Sequence, residues 1–260
     1  MNDSLFDVSG ERVLVTGASL GLGKRFARCL AERGAKVAIA ARSMDKLEAL
    51  AEEIRAEGGI AEPVVMDMLD AASVEAGIAA AEEAIGPLSV LVNNAGIAIV
   101  KPTLDWTEED WDRVVGTNLK GAWLAAQGVA KRMVERDGGK IINIASVLGI
   151  RPIGQVPGYT AAKAGLIQMS KSVARQYAAN GIRVNTIVPG LMNTPLVMDR
   201  IADQYGAGDL DTTIAKRDAM CPTGKMGTAW DVGWAAVYLA SDEARYVTGT
   251  EIIVDGGLTA

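Results

Sequence analysis

The sequence predicts an α/β fold, a doubly wound parallel sheet of about seven strands with helices on both faces, built as a single domain over residues 1–260. Three observations predict it. Short Val- and Ile-rich runs alternate with longer amphipathic runs, as in repeated βαβ units. The short runs are almost continuously hydrophobic, which is typical of strands buried on both faces. No Pro/Gly/Ser-rich linker and no internal repeat divides the 260 residues.

The predicted strands are the short hydrophobic runs, in chain order Arg12–Thr16, Val37–Ala41, Glu62–Met66, Ser89–Val92, Lys140–Ala145, Arg183–Val188 and Glu251–Val254. The predicted helices are the runs between them, Leu22–Arg33, Asp45–Glu57, Ala71–Ala84, Glu108–Glu135, Tyr159–Ala179 and Trp230–Leu239. Gly34 and Gly58 follow the first two helices, where glycine commonly ends a helix. Thr107 precedes the fourth helix with Asp110 three residues later, the spacing of a capping box.

One stretch breaks the alternation of strands and helices. Residues 190–227 contain small polar clusters and show no regular period, so we interpret them as an insertion within the same domain. We expect the part from Pro195 to Pro222 to act as a lid that closes over a substrate.

The composition excludes several classes of function. The chain has no histidine, which excludes Ser-His-Asp hydrolysis, His-ligated zinc and a histidine proton shuttle. The two cysteines, Cys29 and Cys221, have no metal-ligand spacing, so no metal site is predicted. With 26 Lys and Arg against 32 Asp and Glu, the net charge of −6 argues against nucleic-acid binding. Since neither a signal-peptide pattern nor a membrane-length apolar run is present, we expect a cytoplasmic protein without a membrane partner.

A glycine-rich turn follows the first predicted strand and reads Thr16-Gly17-Ala18-Ser19-Leu20-Gly21-Leu22-Gly23. At this point of a doubly wound sheet the free N–H groups of a helix N-terminus favour a phosphate. Glycines there let the backbone approach such a ligand. A purely structural turn is the alternative, but the position between the first strand and the first helix favours dinucleotide binding.

The residues at the end of the second predicted strand would contact the adenosine ribose and therefore indicate which cofactor is preferred. An acidic residue there would accept a hydrogen bond from the free 2′-hydroxyl of NAD, whereas an arginine suits the 2′-phosphate of NADP. The chain has Ala41 at the acidic position, followed by Arg42 and Ser43. We therefore expect NADP(H) to be favoured over NAD(H), the alternative being that Arg42 only faces solvent.

A Tyr-x-x-x-Lys spacing places Tyr159 and Lys163 on one face of a predicted helix. A phenol has an ordinary pKa near 10, and a neighbouring ammonium favours its ionised form. Tyr159 could then exchange a proton with a carbonyl or alcohol oxygen. Taken alone, the pair is better explained as a surface tyrosine with an aliphatic lysine stem beside it.

Two further polar residues strengthen the catalytic interpretation. Ser146 follows the strand Lys140–Ala145, at the carboxyl edge where such sheets bind ligands. Asn118 interrupts a helical run, where asparagine is not favoured. Individually, Ser146 could be a turn residue and Asn118 a solvated helix residue.

Together these segments resemble the short-chain dehydrogenase/reductase family, including its oxoacyl-carrier-protein reductase-like and alcohol or ketone reductase members. The resemblance runs from Val13 to Gly257 and implies a Rossmann-like fold. The segments that carry it are Thr16–Gly23, Asn93-Asn94-Ala95-Gly96, Asn118-Leu119-Lys120-Gly121, Ser146 with Tyr159 and Lys163, Asn185, Pro189-Gly190, Thr194, Val247-Thr248-Gly249 and Val254-Asp255-Gly256-Gly257.

The resemblance implies roles for individual residues. Tyr159 would be the general acid/base, Ser146 would polarise the substrate oxygen, Lys163 would bind the nicotinamide ribose and lower the pKa of Tyr159, and Asn118 would hold a water of a proton relay. Residues that would bind the cofactor are Gly17, Ser19, Leu20, Gly21, Leu22, Arg42, Ser43, Asp67, Met68, Asn94, Ala95, Gly96, Tyr159, Lys163, Pro189, Gly190, Met192 and Thr194. Leu20 departs from the family, because many NADP-dependent members carry a basic residue there.

The expected reaction interconverts a ketone or aldehyde with an alcohol by hydride transfer. The expected substrate is a small or medium-sized, mainly apolar carbonyl compound, because most of the predicted wall residues are apolar. These are Ile97–Val100, Val147–Ile150, Gln155–Pro157, Leu191, Met192, Leu196, Val197, Met198 and Tyr205. Arg151 could contact an anionic tail of the substrate or face water. The resemblance also implies a homotetramer that buries the long helices carrying Asn118 and Tyr159.

Two other functions remain open at this point. One is a non-catalytic dinucleotide-binding sensor or scaffold, because a fold does not by itself define a function. The other is an NAD-linked enzyme resembling sugar-nucleotide epimerases and dehydratases, which share the Tyr-Lys pair. The chain length and the Asn93–Gly96 segment disfavour the second.

Overall fold

The computed structural model of the protein describes residues 5–136, 138–194 and 210–260. Its main sheet contains the strands β1 (Arg12–Thr16), β2 (Lys36–Ala41), β3 (Ile60–Val65), β4 (Val90–Asn93), β5 (Gly139–Ile144), β6 (Ile182–Pro189) and β9 (Glu251–Val254). These seven strands are parallel and lie in the order β3-β2-β1-β4-β5-β6-β9. The short strands β7 (Met192–Asn193) and β8 (Gly227–Thr228) pair separately.

The helices of the described residues connect these strands and cover both faces of the sheet. They are α1 (Gly21–Glu32), α2 (Met44–Ala56), α3 (Ala71–Ile85), α4 (Glu108–Val115), α5 (Ala122–Val134), α6 (Pro157–Tyr177), α7 (Leu210–Met220) and α8 (Ala229–Ala240). No helix among residues 5–136, 138–194 and 210–260 combines the length and the apolarity that a membrane crossing requires.

The alternation of side chains along the strands builds a separate core on each face of the sheet. In β1, Val13 and Val15 pack into the core that includes residues of α1, α2 and α8, whereas Leu14 packs into the core of α3 and α5. All three side chains are fully buried. This two-faced burial explains the continuous hydrophobicity of the strands and confirms the predicted doubly wound architecture.

The strand order places a topological switch point at β1. From β1 the chain moves outward to β2 and β3, then crosses back so that β4 pairs with the other side of β1. The connections after β1 and β4 therefore diverge and leave a crevice at the carboxyl ends of the strands, where open α/β sheets bind ligands.

The predicted strands and helix ends agree closely with the structure. The predicted strand boundaries lie within two residues of those observed. Gly34 and Gly58 adopt φ values of +92° and +86° just beyond α1 and α2, as the C-cap positions require. Thr107 and Asp110 form the predicted capping box at the start of α4.

Two regions differ from the prediction. The single helix expected over Glu108–Glu135 is divided into α4, a π-helical segment over Gly116–Gly121, and α5. The stretch 190–227, expected to be irregular, contains β7, α7 and β8. Much of the expected lid, residues 195–209, lies outside the described residues.

Candidate active site

A cleft of about 450 Å³ opens at the switch point. Most of the predicted cofactor-binding residues line it, namely Gly17, Ser19, Leu20, Gly21, Leu22, Arg42, Ser43, Asp67, Met68, Asn94, Ala95, Gly96, Tyr159, Lys163 and Thr194. The structure thus brings together residues from six separate segments of the chain. Thr16 also lines the cleft, at the end of β1.

The glycine turn is shaped for close approach to a ligand. Gly17 has φ +66°, and a Cβ atom built there would lie 2.7 Å from Ala95 Cα. A Cβ on Gly23 would collide with the Gly17 carbonyl oxygen. The residue preceding α1, Leu20, provides no side-chain cap, and the first turn of α1 contains no acidic residue. Since the N-terminal N–H groups of α1 face the cleft without a carboxylate beside them, the turn fits a pyrophosphate.

Thr16 and Asn94 hold this turn against the end of β4. The Thr16 hydroxyl accepts hydrogen bonds from the backbone N–H groups of Asn94 and Ala95 at 3.0 and 3.1 Å. The Asn94 side chain donates to the carbonyl oxygens of Thr16 and Gly17 at 3.0 and 3.2 Å. The two walls of the cleft are therefore fixed relative to each other before a ligand binds.

Beside the end of β2, the cleft contains a lysine that the sequence analysis missed. Arg42 and Ser43 line the cleft after β2, as predicted, and Lys46 from the first turn of α2 joins them. Ser43 precedes α2 but makes no side-chain cap hydrogen bond to it. The sequence could have identified Lys46, because it follows Ser43 by three residues at the start of a predicted helix. Residues with this spacing lie on the same side of the first turn.

Asp67 and Met68, which the resemblance implies bind the cofactor, line the cleft after β3. Asp67 Oδ1 accepts a hydrogen bond from the Leu69 N–H at 3.0 Å, and the Ser73 hydroxyl accepts one from the Asp67 N–H at 2.9 Å. Met68 is buried beside Asp67. Three lining residues that were not predicted are Leu69, Arg113 and Thr117. No sequence motif marks them. Leu69 belongs to the loop after β3, and Gly116, next to Thr117, packs against the Leu69 side chain.

Asn118 lies at the centre of the π-helical segment and is fully buried. Its side chain donates to the carbonyl oxygens of Ile97 and Val114 at 2.7 and 3.0 Å and accepts from the Ile97 N–H at 3.0 Å. A Cβ atom on Gly96 would collide with Asn118 Oδ1 and lie 3.5 Å from Lys163 Nζ. The Asn118 amide and the Lys163 ammonium therefore both lie beside Gly96, and the absence of a side chain there lets them come close to each other.

Lys163 projects from α6 and is 3% exposed. Its Nζ donates to the Ile144 carbonyl oxygen at 2.7 Å and lies 5.6 Å from the centre of the Tyr159 ring. Burial lowers the pKa of Lys163 to about 8 because it disfavours the charged form. At neutral pH the ammonium is still the main form, so a positive charge is held beside the Tyr159 ring.

The Ser146 hydroxyl lies close to the Tyr159 phenol and favours its ionised form as a hydrogen-bonding neighbour. Ser146 Oγ accepts from the Leu148 N–H at 3.2 Å, which fixes the serine at the end of β5. Burial raises the pKa of Tyr159, while the Ser146 hydroxyl lowers it by less. In the protein by itself the net direction is upward, because burial disfavours the phenolate. The lowering expected from Lys163 together with an oxidised nicotinamide stays a prediction.

Three predicted cofactor-binding residues lie outside the lining of the cleft. Pro189 ends β6, Gly190 N–H donates to the Val254 carbonyl oxygen at 2.9 Å, and Met192 is buried in the core. Asn185, part of the family resemblance, instead bridges β6 to the segment before β9. It donates to Val247 O at 2.8 Å and accepts from the Thr250 N–H at 3.2 Å.

The substrate side of the site is formed by two loops that contact each other. The Lys101 N–H donates to the Gln155 carbonyl oxygen at 3.0 Å, and Gln155 adopts an uncommon φ of +71° for a non-glycine residue. Arg151 donates to the Leu258 carbonyl oxygen at 2.9 Å, so its guanidinium is tied to the C-terminal segment. Four predicted wall residues, Leu196, Val197, Met198 and Tyr205, lie outside the described residues.

The arrangement combines a dinucleotide-sized cleft with a proton-transfer group. A phenol, a serine hydroxyl and an ammonium converge where the cleft meets the carboxyl ends of β4 and β5. Such a set can bind the oxygen of a carbonyl or alcohol and move a proton to or from it. The backbone donors and the glycine turn fit the phosphates of a nicotinamide dinucleotide, and the residues at its far end fit an adenosine.

Known proteins of this architecture cover the whole chain. The Enoyl-(Acyl carrier protein) reductase family model matches residues 17–259. Gluconate 5-dehydrogenase of Gluconobacter oxydans is 35% identical over 255 residues, which cover 98% of this chain and 97% of the relative. A crystal structure of a short-chain type dehydrogenase/reductase from Mycobacterium marinum superposes with a TM-score of 0.91 at 38% identity, covering 99% of this chain and 98% of the other.

A polyketide enzyme has the same fold. A variant of actinorhodin polyketide ketoreductase, solved with NADPH, has a TM-score of 0.91 at 32% identity and covers 97% of this chain and 98% of its own. These matches extend over the glycine turn, the helix that carries Tyr159 and Lys163, and the last strand of the sheet. Together with the parallel sheet and the cleft, they show that this chain belongs to the short-chain dehydrogenase/reductase family and is an NAD(P)-dependent oxidoreductase.

Proposed function

We propose that the protein is an NADP(H)-dependent oxidoreductase that interconverts a ketone or aldehyde with an alcohol, using Tyr159 as the general acid/base. The observation that carries the proposal is the placement of the Ser146 hydroxyl and the Lys163 ammonium beside Tyr159, at the edge of the dinucleotide cleft. The nicotinamide supplies or accepts the hydride when the cofactor is bound.

The side chains of the site act on the substrate oxygen. Ser146 and Tyr159 donate hydrogen bonds to it and stabilise the negative charge that develops during reduction. Because burial raises the pKa of Tyr159, the phenol is protonated at neutral pH and is ready to give its proton to a carbonyl oxygen. Lys163 stabilises the tyrosinate that remains, and Asn118 lies next to Lys163 across Gly96.

The preference for NADP(H) is supported by the charges around the end of β2. Arg42 and Lys46 line the cleft with Ser43, while the position that would bind a free 2′-hydroxyl is the apolar Ala41. The related ketoreductase was solved with NADPH. Leu20 provides no positive charge, so Lys46 is the second cation that the adenosine end of the cleft supplies.

Substitution of Ala41 tests the cofactor preference. Ala41→Asp places a carboxylate beside Arg42, where it repels a 2′-phosphate and accepts hydrogen bonds from a 2′-hydroxyl. We expect the ratio of kcat/KM for NADPH to that for NADH to fall by roughly 10²-fold, equivalent to about 2.7 kcal/mol. Ala41→Asn, which has the same shape without the charge, is the matched control. An unchanged ratio for Ala41→Asp would contradict the assignment.

The substrate is proposed to be a small or medium-sized, mainly apolar carbonyl compound. Ile97 and Ala98 line the cleft beside the catalytic residues, and the half-buried Leu148 follows shortly after Ser146. Val147, also expected in the wall, is instead packed in a buried core cluster. The purified protein should oxidise NADPH, followed by absorbance, with ketones of increasing apolar surface. Gluconate with NADP belongs in the same panel, because one relative is a gluconate 5-dehydrogenase. Turnover of gluconate but of no ketone would overturn the proposed substrate class.

The same assay separates the other functions considered. A sensor or scaffold would bind NADPH without consuming it in the presence of any substrate. An epimerase or dehydratase would turn over a sugar nucleotide with no net change in nicotinamide absorbance. The presence of all four predicted catalytic residues, with Ser146 beside Tyr159, favours the oxidoreductase.

A further inference from the structure

Helix α6, which carries Tyr159 and Lys163, is tied to β5 by a second polar contact outside the cleft. The Asn143 side chain donates to Ser170 Oγ at 2.8 Å, and Ser170 Oγ donates to the Leu166 carbonyl oxygen at 2.7 Å. Lys163 makes the other tie, to the carbonyl oxygen of Ile144, which follows Asn143 in β5. Lys163 and Ser170 lie about two helical turns apart on nearly the same face of α6.

The Asn143–Ser170 contact borders the hydrophobic core on one face of the sheet. Asn143 is 0% exposed and Ser170 is 1% exposed. Ile141, two residues before Asn143 on the same strand face, and Ala174, one turn after Ser170, both belong to the core on that side of the sheet. Two apolar side chains could fill the space between β5 and α6 in more than one arrangement. A buried amide and a buried hydroxyl, in contrast, require hydrogen-bond partners at defined distances. The polar pair therefore sets a single register of α6 against β5.

The contact continues toward the cofactor turn. Asn93 lies directly opposite Asn143 in the pairing of β4 with β5, and its Nδ2 donates to Asn143 Oδ1 at 3.1 Å and to the Ala122 carbonyl oxygen at 2.6 Å. Thr16 Oγ1 donates to Asn93 Oδ1 at 3.4 Å. One buried chain of hydrogen bonds thus reaches the glycine turn, the start of α5 next to the π-helical segment, and α6.

The two anchored elements are those that carry the reacting groups. Ser146 lies three residues after Asn143 on the continuation of β5, and Tyr159 lies one turn before Lys163 on α6. A shift of α6 along β5 would move the phenol relative to the Ser146 hydroxyl. Misplacement of a catalytic group by about 1 Å can lower a rate by roughly 10²-fold.

We propose that Asn143 and Ser170 are positioning residues for the Tyr159 proton-transfer site, which they serve by fixing the register of α6 on β5. The proposal rests on the proposed function for its effect on turnover, but the placement of the Tyr159 ring is a property of the protein alone. It therefore requires one measurement that depends on turnover and one that does not.

The turnover-independent measurement uses tyrosine labelled with ¹³C at Cζ, whose chemical shift reports hydrogen bonding of the phenol. The chain has five tyrosines, and Tyr159→Phe identifies the Tyr159 signal. We expect Ser170→Ala to move or broaden that signal and Ser170→Thr, which keeps the hydroxyl, to restore it. Ser241→Ala is the matched control, because Ser241 is equally buried and donates to the Tyr238 carbonyl oxygen at 2.8 Å, far from the cleft.

The turnover measurement uses the best ketone of the substrate panel. We expect Ser170→Ala to lower kcat roughly tenfold with little change in the Kd of NADPH, and Ser241→Ala to leave kcat unchanged at a similar loss of thermal stability. Should Ser170→Ala not fold, Ser170→Cys, which alters the length of the contact, is expected to shift the Tyr159 signal in the same way. A Tyr159 signal unmoved in the folded Ser170 variant, or moved equally by Ser241→Ala, overturns the proposal. Absence of turnover in the unmodified protein contradicts the proposed function only, since the Tyr159 signal still decides the placement.

Discussion

At the scale of single residues, the phenol of Tyr159 is the group on which the proposed chemistry depends. Tyr159→Phe keeps the ring but removes the proton, and we expect kcat to fall by roughly 10²–10⁴-fold. The Kd of NADPH, measured by fluorescence titration, should stay close to that of the parent. Tyr177→Phe, a substitution on the same helix away from the cleft, should keep full activity. Near-normal kcat in Tyr159→Phe would exclude Tyr159 as the proton donor.

Lys163 makes the free energy of unfolding depend on pH. Its folded pKa of about 8 lies below the unfolded value of 10.5, so the unfolded chain binds more protons between these two values. Stability from this group therefore rises with pH across that window, and its burial as an ammonium destabilises the fold at lower pH. From pH 7 to 9 we expect the parent to gain roughly 1.4 kcal/mol relative to Lys163→Met.

Denaturant unfolding at several pH values measures this difference. Lys171→Met on the same helix is the control, because Lys171 is 42% exposed at its side chain and pairs with Glu251. Its stability curve should run parallel to that of the parent. If the curve of Lys163→Met also runs parallel to that of the parent, Lys163 is not held with a lowered pKa.

The role of a residue could be predicted from the sequence where the residue belongs to a motif of fixed spacing. It could not be predicted where the role depends on which side chains meet in the buried interior. Tyr159, Lys163 and Ser146 follow from spacing and from the carboxyl edge of the sheet. Asn143 and Ser170 carry no such signal, because one is an asparagine inside a hydrophobic strand and the other a serine in a helix. Only the three-dimensional pairing shows that each satisfies the other.

At the scale of elements, the π-helical segment is the main departure from the predicted helices. Hydrophobic periodicity over Glu108–Glu135 predicts one continuous helix, and a single inserted residue hardly changes that pattern. The structure shows that Gly121 packs so closely on the loop after β3 that a Cβ atom would collide with the Met68 carbonyl oxygen and lie 2.8 Å from Met68 Cβ. The glycine of the Asn118-Leu119-Lys120-Gly121 segment thus has a packing role that spacing alone does not reveal.

Gly121→Ala tests whether this packing positions the cofactor wall. The added methyl group would push the π-helical segment away from Met68 and cost roughly 1–3 kcal/mol of stability. We expect the Kd of NADPH to rise about tenfold, because Met68 lies in the cleft lining. In the control Gly128→Ala, the nearest atom is Ile78 Cδ1 at 2.7 Å, the mobile end of a side chain, so binding should be retained. Equal Kd values in both variants would exclude this role for Gly121.

The insertion at residues 190–227 contains a helix, α7, that the sequence pattern does not predict. α7 has a weak apolar face, and its sequence Leu210–Met220 is rich in polar residues, so no helical period is visible. Its anchors are tertiary: Asp218 accepts a hydrogen bond from the Met226 N–H at 2.8 Å, and Met226 is buried against Cys221. A helix stabilised mainly by such contacts is not detectable from periodicity.

At the scale of the whole molecule, the sheet order follows from rules that the sequence already satisfies. Parallel strands need crossover connections, and right-handed crossovers on both faces require one reversal of direction. The predicted glycine turn after β1 identifies the strand at which that reversal occurs, and the structure places β1 between β2 and β4. Architecture and the position of the cleft were thus predictable, whereas the shape of the substrate wall depends on loops.

The assembly of the molecule is predicted to be a homotetramer that buries the helices α4, α5 and α6. Trp111 on α4 and Trp123 on α5 are 43% and 42% exposed in the single chain, and Leu104 just before α4 is 97% exposed. Large apolar side chains exposed on neighbouring elements are candidates for an interface. A second copy of the chain would cover them and would at the same time stiffen the π-helical segment between the two helices.

Trp123→Glu is expected to dissociate the tetramer, because each interface would then bury a carboxylate without a partner. Light scattering coupled to size-exclusion chromatography should show the mass of the tetramer for the parent and a smaller species for the variant. Ile60→Glu introduces the same charge at a 46% exposed site on the edge strand β3 and should leave the mass unchanged. Since the helices of the interface carry Asn118 and Tyr159, we also expect kcat of the dissociated variant to fall. A parent that elutes as a monomer would exclude the tetramer. A Trp123→Glu variant that remains a tetramer would show that the subunits meet at a different surface.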